Sequence, residues 1–257
     1  MPWRSETVRV DEIEVHLLRG GRGEPLLVLH PEFASGRWFP YHDDLGQHFQ
    51  VFAPDHPGFG QTPRPDWFED IEDFAIFYAD FIDSFGWASV RVVGLSFGGW
   101  IAAELAALFP ERVRRLVLIG AAGLRVEGEQ RFDLFARPFE ETLQHFFFAP
   151  DRWLQLLPTE PGPDVILRMY KEATTLARVS WNPYLYNPKL ERRLRRVRCP
   201  TLIVWGEQDR FLSPAHGRAY AKAIPQGKLE LVADCGHLPP LECREAFLAR
   251  VLPFLQG

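Results

Sequence analysis

The sequence predicts an α/β fold, built on a mostly parallel sheet with helices on both faces. Short apolar runs alternate with segments of helical period along most of the chain, which is typical of such sheets. The alternation breaks once, over residues 124–188, where helical segments follow one another with no strand between them. A chain of 257 residues is long enough for one large domain that carries such an insertion.

Eight runs fit strands. The first two form a hairpin around Asp11-Glu12, and most of the others are continuous apolar runs typical of strands buried on both faces. The predicted strands are Thr7–Val10, Ile13–Leu18, Leu26–Leu29, Val51–Ala53, Val90–Gly94, Val113–Ile119, Thr201–Trp205 and Leu229–Val232.

Helices are predicted between these strands from apolar residues at a period of about 3.6. The clearest are Ile71–Phe85, Phe97–Phe109 and Pro240–Leu255. Within the insertion, prolines separate four shorter helical segments: Gln130–Arg137, Phe139–Phe147, Asp151–Leu157 and Asp164–Val179. We therefore expect a core formed by residues 1–123 and 189–257 and a helical cap formed by residues 124–188.

Composition disfavours several classes of function. The net charge of −5 includes no basic stripe, so nucleic acid is not an expected partner. Three scattered cysteines indicate neither a disulfide framework nor a zinc site, and no metal or cofactor is expected. No apolar run is long enough to span a membrane, and no signal peptide is evident, so we expect a cytoplasmic protein, as a monomer or homodimer.

The segment Gly94-Leu95-Ser96-Phe97-Gly98 carries the strongest chemical signal. It matches G-x-S-x-G and lies between a predicted strand and a predicted helix, where the glycines permit a sharp turn. This turn would place the hydroxyl of Ser96 at the positive end of a helix, which favours developing negative charge. Ser96 is therefore the predicted nucleophile.

A serine nucleophile needs a base and a group that orients the base. His237 follows the last predicted strand and is the candidate base. Asp209 follows the preceding strand and is the candidate acid, with Glu207 as the alternative. The resulting chain order of serine, acid and histidine is that of one particular architecture.

In these motifs the chain resembles the α/β-hydrolase superfamily, in its lid-bearing serine esterase-like branch. The resemblance rests on His30, the segment Asp55-His56-Pro57-Gly58-Phe59-Gly60, the serine turn, the block Cys199–Asp209, and Gly236-His237. It covers nearly the whole chain outside the insertion. It implies an eight-stranded sheet, a Ser96–His237–Asp209 triad and a helical cap.

The resemblance also implies two backbone N–H donors for the oxyanion of the tetrahedral intermediate. Phe97 is the first. The second lies in the loop after the third strand, where family members usually carry His-Gly but this chain has His30-Pro31. Position assigns the second donor to Glu32, with Phe33 as the alternative. The Glu32 side chain is expected to face solvent or pair with Arg37, or else to contact substrate, and His30 to pack beneath the loop.

Aromatic residues are enriched in the insertion, which predicts an apolar pocket above Ser96. The predicted substrate-contacting residues are Phe33, Leu95, Phe135, Phe139, Phe147, Trp181 and Leu238. They favour a small to medium hydrophobic carboxylic ester as the substrate.

Cleavage of carboxylic esters through an acyl-enzyme is therefore the leading functional prediction. A carbon–carbon bond hydrolase and a cofactor-free perhydrolase are alternatives on the same fold. Relatives that cleave carbon–carbon bonds tend to carry Asn before the nucleophile and Trp after the histidine, where this chain has Leu95 and Leu238. A ligand receptor without catalysis is disfavoured because no triad residue is missing.

Overall fold

The computed structural model describes residues 2–129, 132–151 and 162–257. Eight strands form one sheet in the order β1-β2-β4-β3-β5-β6-β7-β8. Their bounds are β1 Arg4–Val10, β2 Ile13–Gly21, β3 Pro25–Leu29, β4 Gln50–Pro54, β5 Val90–Leu95, β6 Val113–Ile119, β7 Thr201–Gly206 and β8 Gly227–Val232. The two pairings that involve β2 are antiparallel and the other five are parallel, which confirms the predicted fold class.

The described residues form nine helices: α1 Pro40–Gly46, α2 Ile71–Ser84, α3 Ser96–Leu108, α4 Phe139–Phe146, α5 Pro163–Ser180, α6 Leu190–Leu194, α7 Pro214–Ala223, α8 Pro239–Glu242 and α9 Arg244–Gln256. One group of helices packs in series, with α2 against α3, α3 against α6, and α6 against α7, while α1 packs against α9. None of these helices combines the length and the apolar character that a membrane crossing requires.

The central strands are buried because they carry apolar side chains on both faces. All six residues of β5 and of β7 are buried, and the helix α3 that follows β5 is buried along nearly its whole length. Such continuous burial is expected of parallel strands covered on both sides. It makes the turn between β5 and α3 part of the core of the molecule.

Some predicted elements differ from the structure. A helix was expected over Gln130–Arg137, but residues 132–133 have no regular structure and residues 134–137 form a turn and a bend, while residues 130–131 lie outside the described ranges. The helix expected over Asp151–Leu157 also lies almost entirely outside them. The expected helix Pro240–Leu255 is two helices that meet at Cys243, whose φ of −125° and ψ of 47° are not helical.

The segment between β6 and β7 is anchored to the core through α5. Glu172, a buried residue of α5, accepts hydrogen bonds from the hydroxyl of Ser35 and from the N–H of Gly60. Lys171 donates to the carbonyl oxygens of Gly60 and Thr62, each at 3.0 Å. The loops after β3 and β4 are therefore held by the same turn of α5.

Candidate active site

Ser96 occupies a strained turn between β5 and α3. Its φ of 48° lies in the left-handed region, which non-glycine residues adopt rarely and chiefly at functional sites. A Cβ atom at Gly94 would lie 2.5 Å from the carbonyl oxygen of Gly98, and a Cβ atom at Gly98 would lie 2.4 Å from the carbonyl oxygens of Leu29 and His30. Only glycine fits at these two positions, because backbone atoms cannot move aside as a flexible side chain can.

The structure brings Ser96, His237 and Asp209 together. The Oγ atom of Ser96 lies 2.8 Å from Nε2 of His237, and Nδ1 of His237 lies 2.7 Å from Oδ2 of Asp209. Ser96 follows β5, Asp209 follows β7 and His237 follows β8, so the carboxyl ends of three parallel strands supply the three groups. These contacts are the ones that a serine nucleophile, a histidine base and an acid that orients the base require.

Asp209 is held by the backbone of its own loop. Its Oδ1 atom accepts hydrogen bonds from the N–H groups of Phe211 and Leu212, each at 2.9 Å, which leaves Oδ2 for His237. Glu207, the alternative acid, is exposed to solvent. Geometry therefore favours Asp209 as the partner of the histidine.

Glycine makes room for the histidine. A Cβ atom on Gly120 would lie 2.9 Å from Cε1 of the His237 ring, and Gly120 has a positive φ of 52°. The rings of Phe146 and Phe211 pack against the imidazole with centroid distances of 4.8 and 4.9 Å. Ser96 and His237 are fully buried, so both side chains are shielded from solvent.

The loop after β3 rests on a pair of stacked histidines. The rings of His30 and His56 lie 3.8 Å apart, and burial lowers the pKa of His56 well below its usual value, which keeps its ring neutral. Nε2 of His56 donates to the carbonyl oxygen of His30 and its Nδ1 accepts from the hydroxyl of Tyr78. His30 accepts from the N–H of His56 and donates from Nδ1 to the carbonyl oxygen of Pro31. His30 thus lies beneath the loop, as expected.

The Glu32 side chain does not face solvent, and no ion pair with Arg37 forms. It is 5% exposed and points at Ser96. Its Oε1 atom lies 3.0 Å from Oγ of Ser96, and its Oε2 atom accepts a hydrogen bond of 3.3 Å from the N–H of Phe97. This corrects the first expectation, because Phe33, with a φ of 60°, turns the loop inward beside α3. The N–H of Phe97, which was predicted to bind the oxyanion, donates to this carboxylate.

An apolar cavity of about 420 Å³ lies between the loop after β3 and the insertion. Of the predicted pocket residues, Phe33 and Phe139 line it, and their rings pack edge to face at 5.6 Å. Seven further residues line the cavity from turns and helix faces, where no motif marks them in the sequence: Leu134, Arg137, Thr142, Ile166, Met169, Tyr170 and Ala173.

The other predicted pocket residues lie elsewhere. Leu95, Phe147 and Leu238 are buried in the packing around the triad rather than in the cavity wall. Phe135 packs against Trp181 at 5.4 Å, and Trp181 is 61% exposed. Trp181 was predicted to face the pocket, but the end of α5 directs it to the surface.

Within the described ranges, one group of three side chains has the spacing of a metal site. The ligand atoms of Cys235, Glu242 and Cys243 lie within 4.8 Å of one another. The Glu242 carboxylate is already engaged by the N–H groups of Phe148, Ala149 and Gly236. Burial raises the pKa of both thiols, which disfavours the thiolate form that binds metals. The group thus fits a structural clamp beside His237 better than a metal centre.

Comparison with known proteins places this geometry in a family. A family model described as the alpha/beta hydrolase family matches residues 26–250. The chain belongs to the alpha/beta hydrolase family. This confirms the resemblance inferred from the serine turn and the order of the triad.

The chain is similar along its length to hydrolases named for unsaturated 2-hydroxy-6-oxo acids. It is 29% identical to a 2-hydroxy-6-oxo-2,4-heptadienoate hydrolase of Pseudomonas putida, over 95% of this chain and 93% of the relative. It is 26% identical to a 2-hydroxy-6-oxo-6-phenylhexa-2,4-dienoate hydrolase of Burkholderia cepacia, over 96% and 92%. Among solved structures, a bacterial membrane phospholipase A superposes with a TM-score of 0.83 and 26% identity, over 99% of this chain and 86% of that one.

Proposed function

We propose that this alpha/beta hydrolase cleaves a carbon–carbon bond next to a ketone in an unsaturated 2-hydroxy-6-oxo acid. The proposal rests on the end-to-end similarity to two enzymes named for such substrates. The arrangement of Ser96, His237 and Asp209 is suited to acyl transfer, which this reaction requires. Carbon–carbon bond cleavage therefore replaces ester cleavage, the leading prediction from the sequence, as the main proposal.

The chemistry follows from the geometry of the triad. Ser96 Oγ attacks the ketone carbon while His237 Nε2 takes its proton, and the N–H of Phe97 stabilises the oxyanion that forms. The substrate reacts as its 2-oxo tautomer, which forms when the 2-hydroxyl loses its proton and carbon 5 gains one. When the oxyanion collapses, the bond between carbons 5 and 6 breaks, and its electron pair is delocalised through the C3–C4 double bond onto the 2-oxo group. The leaving carbon takes the proton from His237. Water, deprotonated by His237, then releases the acyl group from Ser96 as a carboxylic acid.

We propose residues 124–188 as the cap that binds the substrate above Ser96. The apolar cavity beside Phe33 and Phe139 suits the hydrocarbon part of such a substrate. Arg137 is the one charged residue among the described residues that line the cavity. Its guanidinium forms an ion pair of 3.7 Å with the carboxylate of Glu141 but is 58% exposed, so its remaining N–H donors can pair with a substrate carboxylate.

Ester hydrolysis is the second candidate. Leu95 and Leu238 stand where carbon–carbon hydrolases of this family tend to carry Asn and Trp, and both leucines are buried beside the triad. These apolar residues remove two polar groups from the neighbourhood of the nucleophile. The similarity to a phospholipase A, an ester-cleaving enzyme, supports the same candidate.

One assay separates the two candidates. The purified protein is incubated with 2-hydroxy-6-oxo-6-phenylhexa-2,4-dienoate and, in parallel, with nitrophenyl esters of increasing acyl length. Loss of the dienoate absorbance, with release of benzoate, is the expected result. Turnover of esters alone would assign the enzyme to the second candidate.

Two variants serve as controls in this assay. Ser96→Ala should abolish turnover of either substrate class. Arg137→Gln should raise KM for the anionic dienoate and leave KM for a neutral ester unchanged, since only the dienoate carries a carboxylate. An equal effect of Arg137→Gln on both substrates would contradict the proposed role of the guanidinium.

A further inference from the structure

The Glu32 carboxylate lies where the oxygen of a reacting carbonyl would have to lie. An oxyanion hole is defined by the N–H that follows the nucleophile, and that N–H of Phe97 already donates to Oε2 of Glu32 at 3.3 Å. The other carboxylate oxygen is 3.0 Å from Ser96 Oγ. The side chain therefore contacts both the nucleophile and the group that would stabilise the intermediate.

Two acceptors compete for the hydroxyl proton of Ser96 in this arrangement. A hydroxyl has one proton to donate, yet Ser96 Oγ has two acceptor atoms within hydrogen-bond distance, Oε1 of Glu32 and Nε2 of His237. While the hydroxyl donates to Glu32, it is not directed at the base that must deprotonate it. An ionised carboxylate at this position also repels the negative charge that develops on the substrate oxygen.

We propose that Glu32 is a built-in competitor for the oxyanion hole, which a substrate displaces before Ser96 attacks. The inference rests on the proposed role of Ser96 as nucleophile, but it does not depend on which bond the enzyme cleaves. It makes Glu32 a residue that determines specificity, because substrates differ in how well they displace the carboxylate.

The cavity supplies a way to displace it. Phe33 is the next residue along the chain, and its ring forms part of the cavity wall against Phe139. A substrate that fills the cavity presses on Phe33, whose strained backbone is directly joined to Glu32. Compounds too small to reach Phe33 leave the carboxylate in place, so large substrates are favoured over small ones.

The test measures covalent labelling of Ser96 by a fluorophosphonate. In this reaction the Ser96 oxygen bonds to phosphorus, fluoride leaves, the serine proton passes to His237, and the phosphoryl oxygen enters the oxyanion hole. Intact-mass spectrometry gives the labelling rate for the wild type, Glu32→Ala and Glu32→Gln. Ser96→Ala serves as the unlabelled control, and Glu245→Ala, at an exposed glutamate, as a matched substitution.

Glu32→Ala should be labelled about tenfold faster than the wild type, the change that corresponds to about 1.4 kcal/mol. Glu32→Gln should be intermediate, because the amide fills the hole without a charge. Acetate, added at constant ionic strength, should slow the labelling of Glu32→Ala by refilling the hole and leave the wild type unaffected. A merely structural role for Glu32 would not produce this response to acetate.

Several results would overturn the inference. Labelling of Glu32→Ala at the wild-type rate, or more slowly, would mean that the carboxylate does not compete for the oxyanion hole. Equal slowing of the wild type and the variants by acetate would lead to the same conclusion. If a thermal melt shows that Glu32→Ala does not fold, the labelling rate of Glu32→Gln is compared with that of the wild type instead. If neither the wild type nor any variant is labelled, Ser96 is not the nucleophile and the proposed function fails as well.

Discussion

The backbone N–H of His237 donates a hydrogen bond of 2.5 Å to the carbonyl oxygen of Phe146. Phe146 is the last residue of α4, in the insertion, whereas His237 belongs to the loop after β8. The proposed catalytic base is therefore positioned from two sides, by Asp209 through its ring and by the insertion through its backbone. The position of His237 is thereby coupled to the position of α4.

Glu242 strengthens this coupling, which leads to a first prediction. Its carboxylate accepts from the N–H of Gly236 at 2.7 Å and of Ala149 at 2.8 Å. Glu242→Ala leaves these donors unpaired, so we expect the free energy of unfolding to fall by about 1–3 kcal/mol. We also expect kcat to fall because His237 loses support. Denaturant unfolding measures the stability and steady-state kinetics measure kcat, with Glu245→Ala as the control. An unchanged kcat would refute the coupling between Glu242 and His237.

The orientation of the imidazole by Asp209 gives a second prediction. Asp209→Asn keeps an oxygen for Phe211 and Leu212 but no longer accepts the ring proton of His237, so kcat should fall by about 10⁴-fold. The exposed Glu207 provides the matched control, and Glu207→Gln should leave kcat unchanged. The opposite pattern in steady-state kinetics would transfer the role of the acid to Glu207.

The close approach of α3 to β3 gives a third prediction. A methyl group on residue 98 would meet two backbone oxygens at 2.4 Å, so Gly98→Ala should reduce the free energy of unfolding by about 2 kcal/mol. Gly162→Ala is the control, because a Cβ atom there meets no neighbour and φ is −64°. Chemical denaturation gives the free energy of unfolding of both variants. Equal values for the two would contradict the packing described for the serine turn.

Buried histidine makes stability depend on pH. Burial, with a smaller effect of His30, lowers the pKa of His42 to about 3, and its Nδ1 accepts from the N–H of Phe39. The unfolded chain takes up a proton below pH 6.5 that the folded chain does not, so stability falls as the pH falls from 6.5 towards 3. The expected slope is about 1.4 kcal/mol per pH unit from this residue.

His42→Gln tests this fourth prediction. The variant should lose part of the acid-induced drop in Tm below pH 6.5 while the contribution of His56 remains. The decisive quantity is the slope of unfolding free energy against pH, rather than its value at neutral pH, where the substitution also changes packing. An unchanged slope would show that the His42 ring is protonated in the folded protein.

The sequence was sufficient for the strands and for the grouping of Ser96, Asp209 and His237. Parallel strands have strong apolar patterns, and their carboxyl ends lie at one edge by topology, so residues that follow them converge whatever the loops do. The helices α1 and α7 were missed because each carries few large apolar residues that could show a helical period. Each has a proline in its first turn, Pro40 and Pro214, and that was the one available signal.

The direction of Glu32 could not be predicted. It depends on the positive φ of Phe33 and on the anchoring of Ser35 by Glu172, a contact between residues 137 positions apart. Neither this backbone angle nor this distant contact can be read from the residues around position 32. Trp181 was misplaced for a related reason, because aromatic composition indicates burial on average but not which way the end of a helix faces.

Because Ser96 and His237 are completely buried, a substrate reaches them only when the residues that cover them move aside. In the proposed reaction, each cycle requires the protein to open for a substrate, close around it, and open again for two products of different size and polarity. The bond-breaking step is then one event among several, and the frequency of opening sets the ceiling on turnover. A solvent made more viscous would slow such an enzyme without altering a single contact in its triad.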